Sequence, residues 1–400
     1  MKKRFLLIGS LAFCQFMAKA QTKPVSVPPV PSKTDIELVY NHYLQNGSNS
    51  AVTGGIGTEK LVVYGPALNL KRSRGKKEWS LKTGVDIITS ASTDNIDFVL
   101  SSASRTDKRV YFNPGFTHKN EQKQSAWSGG LGFSMESDYL SLSAQAGFQK
   151  ESTDKMRSFT AQFQFFQDDL RWGRVNPDYY RPVRLIVPVE LRYRSWYEEY
   201  LRRSYNFKFS LSQIVNRRNT VGIFPELTIQ KGLLATPFHR IYFKEDSLAA
   251  EQLPNERWKL SMAIKWNRFL GGRVILRNTL QFYSDNFGIR SATFENETAV
   301  KISPSLTLTP QIRIAIQQGS RYFAGYKEHE STEQFYTSDY DLSTFRNLSA
   351  GGSILYRPSE NLSRKLWIQS LKLRYQYNHR SNNLVGHIFS LVIGLQNEKK

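Results

Sequence analysis

From Asp35 to Gln396 the chain repeats one pattern. About ten residues alternate apolar and polar, a polar break follows, and another alternating stretch begins. In the clearest stretch Leu306, Leu308, Pro310, Ile312, Ile314 and Ile316 fall on one face, and Thr307, Thr309, Gln311, Arg313, Ala315 and Gln317 on the other. A β-strand turns successive side chains to opposite faces, so this segment is oily on one side and wet on the other. It is longer than a common soluble strand and matches the roughly 9–11 residues that a transmembrane β-strand needs. Similar stretches lie near 35–45, 60–70, 78–90, 108–118, 125–135, 138–149, 156–167, 203–213, 219–230, 257–267, 273–283, 289–302, 305–317, 346–357, 367–378 and 384–396. They number about sixteen, an even count as in single-chain bacterial barrels. Val183–Arg192 alternates more weakly and reads as β-structure inside a large loop.

The breaks alternate in length. Short ones at 72–77, 119–123, 152–155, 215–218, 269–272 and 303–305 intervene between long ones at 45–60, 90–108, 168–202, 231–256 and 319–346. Membrane barrels have short periplasmic turns and long outer loops. Two connections depart from the pattern: Glu136–Asp138 is a short outer one and Pro358–Leu366 a long turn. The expected fold is all-β, a transmembrane antiparallel β-barrel of about sixteen strands with long extracellular loops. Trp258, Leu260, Met262, Ile264 and Trp266 face outward in this reading, as do Tyr205, Phe207, Phe209 and Leu211. Pro225 and Pro310 sit on the apolar face, where a missing ladder donor suggests local bulges.

Composition narrows the class. Mean hydropathy is −0.46, and no apolar run reaches the roughly 18 residues of a helical span. A barrel passes that test because half of each strand faces a polar interior. Lys2, Lys3 and Arg4, an apolar core from Phe5 to Phe16, and Ala18-Lys19-Ala20 form an export signal over 1–20, leaving Gln21 first. Cys14, the single cysteine, lies inside that signal, so disulfides and thiolate chemistry are excluded from the exported chain. Residues 21–33, with Pro24, Pro28, Pro29 and Pro31, read as a solvated periplasmic tether, and 34–400 as the barrel. The formal charge is +21; Lys2, Lys3, Arg4 and Lys19 carry four of these with no acid, so the exported chain keeps +17. Export makes nucleic acid a poor partner for that charge, and anionic lipid or anionic solutes remain.

Three long stretches resemble a family of outer-membrane proteins, domain of unknown function 3570. They are DIITSASTDNIDFVLSSASRTDKRVYF at Asp86–Phe112, KGLLATPFHRIYF at Lys231–Phe243 with LPNERWKL at Leu253–Leu260, and EQFYTSDYDLSTF at Glu333–Phe345. With the strands between them the resemblance spans 36 to 395. It implies an outer-membrane location, handling by the outer-membrane assembly machinery, and no defined activity. Some relatives are associated with flavin-transferase-like and thioredoxin-like proteins, so the resemblance also implies periplasmic redox or flavin-related partners. One departure stands out: Leu395 is followed by Gln396-Asn397-Glu398-Lys399-Lys400, not by the aromatic terminal residue that assembly commonly reads.

Two sets of residues carry candidate chemistry. Alternation turns Lys82, Lys208, Lys259, Lys265, Arg277, Arg313, Lys372 and Arg374 into the lumen, together with the acids Asp86, Glu226, Glu295 and Glu297. These either fill the interior as an ion-pair lattice or create a field favouring anions, as Lys and Arg rings do in pores. The loop 168–203 mixes cations and aromatics, with Arg171, Trp172, Arg174, Tyr179, Tyr180 and Arg181 as ligand-contact candidates. Arginine forks suit phosphate or carboxylate, so surface glycolipid is a fitting partner; a self-packed loop is the plainer outcome. Asp168, Asp169, Asp339, Asp341 and His239 fall in expected outer loops, where hydrolase or calcium chemistry is conceivable. No zinc or nucleotide motif accompanies them, and no metal, cofactor or catalytic residue is assigned. The expected function is a channel or docking protein favouring anionic solutes or partners. The alternative is a surface adhesin or assembly scaffold acting through its loops, with an outer-membrane hydrolase behind both.

Overall fold

The computed structural model describes residues 32–90, 106–136, 139–170, 201–236, 239–358 and 366–399. The signal segment, most of the tether and the stretch 183–192 lie outside them. Sixteen strands close into one antiparallel barrel. In chain order its wall begins with β1 (Ser32–Asn46), β2 (Leu61–Arg74), β3 (Lys77–Ser90), β4 (Thr106–Asn120) and β5 (Ser125–Met135). It continues with β6 (Leu140–Glu151), β7 (Arg157–Asp169), β8 (Leu201–Asn216) and β9 (Asn219–Gly232). A small hairpin, β10 (Arg240–Tyr242) and β11 (Leu248–Ala250), stands apart from the wall. The wall resumes with β12 (Glu256–Leu270), β13 (Val274–Asp285), β14 (Arg290–Lys301) and β15 (Leu306–Gln318). It ends with β16 (Phe345–Tyr356), β17 (Leu366–Arg380) and β18 (Leu384–Lys399). Each expected strand is present within a few residues of its span. β1 closes the wall by pairing with β18 from Ser32↔Lys399 to Asn46↔Val385.

Period-two alternation decides which side chains leave the wall. In β5, Trp127 and Leu131 are 62% and 65% exposed. The exposed apolar band runs around the barrel through Leu38, Leu142, Leu211, Leu260, Ile316 and Leu373. A soluble protein does not leave a continuous band of this kind in water; hydrocarbon covers it, and a closed barrel leaves no unpaired edge in the lipid. Aromatic pairs flank the band. Trp79–Phe116 and Trp127–Phe148 stand toward the turn side, with centroids 4.5 and 4.6 Å apart. Tyr375–Phe389 and His42–Tyr64 stand toward the loop side. Such girdles sit at the two water interfaces. The protein is therefore an outer-membrane β-barrel, with the Ser32 end of β1, the Lys399 end of β18 and the short turns at the periplasmic rim.

The prolines correct an expectation. Pro225 pairs with Met262 and Pro310 with Gly352, and the register on both sides of each is unbroken. Each proline removes a ladder donor but adds no residue, so a rung is lost and no bulge forms. The register shifts that do occur lie at Ile214/Asn216 and Ile368/Ser370. Two glycines let the wall close up. A Cβ at Gly65 would lie 1.9 Å from the Val85 carbonyl oxygen, and one at Gly222 would lie 2.8 Å from the Phe224 ring.

The loop lengths also depart from strict alternation. The outer connections 286–289 and 381–383 are as short as turns, in addition to the one after β5. The inner face of the wall is polar: Gln162 and Gln164 both donate to the Gln145 side-chain oxygen, at 3.1 and 3.2 Å. Among the described residues, the buried apolar cluster of Ile241, Phe243, Ala249 and Tyr336 lies in the outer loops, off the barrel wall.

Candidate functional site

All eight expected lumen cations lie on inward-facing positions, opposite the lipid-exposed residues of their strands. On the β13–β17 wall they form a lattice. Arg277 reaches Glu297 at 3.6 Å, Arg374 reaches the same carboxylate at 3.9 Å, and Arg313 reaches Glu295 at 3.9 Å. Gln311 joins the pieces: its amide nitrogen donates to Glu295 at 2.9 Å and its oxygen accepts from Arg374. Three guanidiniums thus share two carboxylates, which holds the lattice together and leaves a small positive excess.

The other five expected cations are less neutralised. Lys208 pairs with Glu226 at 3.5 Å. Lys82, Lys259, Lys265 and Lys372 make no ion pair among the described residues. The Lys265 ammonium stands 5.0 Å from the centroid of the Phe224 ring, which lies over Gly222, the cross-strand partner of Lys265. This residue borders a cavity of about 440 Å³ shared with Glu151, Lys155, Ser212 and Asn267. A second cavity of about 620 Å³ adjoins it through Glu151 and Lys155 and is walled by Lys71, Glu78 and Lys119. The turn-side end of the lumen therefore holds two adjoining cavities with charged side chains in their walls.

The loop-side mouth is built differently. The β1–β2 loop, the β10–β11 hairpin and residues 319–344 pack into a cap. Its apolar centre includes the edge-to-face pair Phe243–Tyr336, 5.0 Å apart. Beneath it the buried Glu251 accepts from the Thr236 backbone N–H at 2.6 Å and from the Thr337 hydroxyl, and faces His239 at 3.4 Å. Inward-facing wall residues hold the cap from below. Gln317 donates to the carbonyls of Asp341 and Ser343, both at 2.9 Å. Arg380 pairs with Asp341, donates to the Tyr340 carbonyl at 2.9 Å and stacks 4.0 Å over Phe345. Tyr43 donates to Gln45, which donates to Glu59, each at 2.8 Å. Because these anchors point into the lumen, the cap leans over the mouth along this arc. The resembling stretches at 231–243 and 333–345 meet here, Ser338 donating to the Arg240 carbonyl at 2.9 Å.

Electrostatics in the cap follow from this crowding. Burial and the nearby Asp341 carboxylate push Glu59 up to about 7 against the pull of Arg380. Burial pushes His239 down, but Glu251, aided by Asp339 and Asp341, outweighs it and lifts the imidazole to about 9. Burial also raises Asp339, with His239 opposing. His239 is thus held toward its protonated form beside Glu251.

The acids singled out in the sequence are structural. Asp168 and Asp169 end β7 and do not lie in a loop. Asp168 is buried, takes Arg202 at 2.9 Å and accepts from Ser141 and Tyr139, so its carboxylate is engaged in holding the strand ends together. Asp339 caps a 3₁₀ turn through the Asp341 backbone N–H. Among the described residues, no group of three or more His, Cys, Asp or Glu is placed to hold a metal ion. Arg171, Trp172, Arg174, Tyr179, Tyr180 and Arg181 lie outside the described residues. Sequence reading missed a second outer-rim anchor, Arg257 with Asp285, which repeats the design of Arg202 with Asp168. In both, an Asp closes one strand and an Arg opens the strand paired with it, a spacing that the sequence does display.

The family profile described as "Protein of unknown function (DUF3570)" matches residues 85–394. The chain belongs to this family. No curated protein matches it. Among solved structures, Pseudomonas aeruginosa OpdK with vanillate is 10% identical, with 92% of this chain and 99% of that one covered at a TM-score of 0.42. A BenF-like porin from Pseudomonas fluorescens Pf-5 is 11% identical, with the same coverages and a TM-score of 0.43. Pseudomonas aeruginosa OccK2 (OpdF) in complex with glucuronate is 11% identical, covered at 92% and 98%, with a TM-score of 0.42. This DUF3570 member thus has a family but no activity attached to it by likeness.

Proposed function

We propose that this DUF3570 barrel is a channel, without covalent chemistry, that favours small anionic solutes. The observation that carries this reading is the pair Lys259 and Lys265, inward-facing and without carboxylate partners among the described residues, the latter beside a cavity. An anion about 5 Å from an ammonium gains about 0.8 kcal/mol in bulk water and about 3 kcal/mol at an effective dielectric of about 20. The smaller figure already enriches anions severalfold. The lattice of Arg277, Arg313 and Arg374 adds little field, because Glu295 and Glu297 take up most of its charge.

Purified protein in planar bilayers should give conductance steps with a reversal potential on the anion side. The K259Q/K265Q double variant should shift that potential toward zero and lower the anion-to-cation permeability ratio severalfold. Silent bilayers from protein that is folded by heat-modifiable gel mobility would sink the channel reading.

The self-supporting cap, with its own apolar centre, favours a second reading in which the outer loops dock a surface partner. Deleting 171–200 separates the two: a channel keeps conducting, whereas a loop-borne docking activity is lost.

A further inference from the structure

Among the described residues the excess of positive charge is concentrated at the short-turn end of the barrel. The short turns carry Arg74, Lys76, Lys77, Arg217, Arg218 and Arg273, all exposed. Just above them, on the lipid-facing side of the wall, stand Arg72 of β2, Arg157 of β7 and Arg268 of β12, also exposed and without an ion-pair partner among the described residues. The acids of this rim mostly point the other way. Glu78, on the inner face, takes both Lys71 and Lys119, at 2.8 and 2.7 Å, and Glu151 lines the cavities. Much of the positive charge left over at this rim is thus on its outside. The outer cap, by contrast, mixes its cations with Glu251, Glu328, Glu330, Glu333, Asp339 and Asp341.

The position of the outward arginines identifies what they meet. Arg72 is the cross-strand partner of Trp79. Arg268 follows Trp266 on the same face, and Arg157 precedes Phe159 in the same way. One step of two residues along a strand is roughly 6.6 Å. Indole rings mark the interface between hydrocarbon and headgroups, so guanidiniums level with such rings or one step closer to the rim reach the depth of lipid phosphates. Their planar forks grip phosphate bidentately.

We propose that the periplasmic rim is a binding ring for anionic phospholipid headgroups of the inner leaflet. The ring occupies two separate arcs of the circumference, one at β2–β3 and one running from β7 through β9 to β12 and β13. A folded protein partner would contact one arc; an annulus of lipid contacts both. The inference is independent of whether the lumen conducts.

The full chain can report on its own annulus, because Trp79 and Trp266 stand beside the arginines. Reconstituted in equimolar phosphatidylglycerol and phosphatidylcholine, with bromine on the acyl chains of one lipid or the other, tryptophan quenching reads the local composition. Brominated phosphatidylglycerol should quench more, by a relative association constant of about five or greater. The R72Q/R157Q/R268Q variant, its folding checked by heat-modifiable mobility, should bring that ratio close to one. About 1 M salt should do the same to the wild-type protein, since screening then acts within about 3 Å. Equal quenching by the two lipids in the wild type, or a preference that survives both the variant and the salt, overturns the proposal.

Discussion

At the scale of single residues, the strongest contacts are not in the lumen but at the outer ends of strands. Asp285 has no exposed side-chain surface, and its partner Arg257 keeps 14%. The Arg257 Nε lies 2.9 Å from the carboxylate, the Tyr283 hydroxyl donates to it at 2.8 Å and the Ile289 N–H at 2.9 Å. The guanidinium also stacks 4.5 Å over Phe287, which is itself buried. Removing one member of such a pair strands the other charge without water, at a cost of about 3–5 kcal/mol. Asp285→Ala should therefore lower the thermal transition of the detergent-solubilised barrel markedly. Replacing both partners, as R257M/D285L, should recover much of that loss. Lys244 and Glu330 also make a close contact, 2.8 Å, but are both more than half exposed. Lys244→Ala should leave the transition almost unmoved, because solvent screens the pair. If Asp285→Ala melts like Lys244→Ala, the account of Arg257 as an anchor is wrong.

At the scale of elements, wall and cap obey different rules, and this decides what a sequence reveals. The strands were legible because facing is local: an apolar residue at every second position names its own side, and Trp258 and Trp266 fall outward as their spacing implies. The inward direction of Lys208 or Arg313 was legible for the same reason. Their pairing was not, because it depends on how adjacent strands are staggered, which places Glu297 between Arg277 and Arg374. The cap was illegible for a stronger reason. Its contacts join residues far apart in the chain, such as Thr337 with Glu251 and Phe243 with Tyr336, and its segments have no periodicity to betray them. The cap should also respond to pH. His239 rises from its usual 6.5 to about 9, so its contribution is whole below 6.5 and fades as pH climbs through 9. Glu59 rises from 4.5 to about 7, so burial favours its neutral form and its contribution fades between those values. Both changes loosen the cap in the same direction. Hydrogen exchange of 239–255 and 319–344, corrected for intrinsic rate, should be slower at pH 6 than at pH 9.5. Glu251→Gln should bring that loosening to lower pH, by removing the carboxylate that holds the imidazole protonated. Equal protection at both pH values rules this coupling out.

At the scale of the whole molecule, the two ends of the barrel are electrostatically unlike, and a channel with unlike ends should not conduct equally in both directions. Cations crowd the periplasmic mouth, where Lys71, Lys119 and Lys155 line the hollow and unpaired arginines ring it outside. The outer mouth carries mixed charge and is narrowed on one arc by the cap. Under one polarity anions are drawn through the basic end first and accumulate in the lumen; under the other they are depleted there. Protein inserted in a single orientation should therefore pass unequal currents at equal and opposite voltages. The asymmetry should be clear near 0.1 M salt, where the screening length of about 10 Å is comparable to the lumen, and should collapse near 1 M, where it is about 3 Å. Neutralising only the outward arginines should leave most of the asymmetry, since they face lipid, whereas replacing Lys71, Lys119 and Lys155 should reduce it. A current that stays symmetric in dilute salt would mean that the charge gradient along the axis is not felt by permeating ions, and that the lumen is sealed or shielded between the cap and the turn-side cavities.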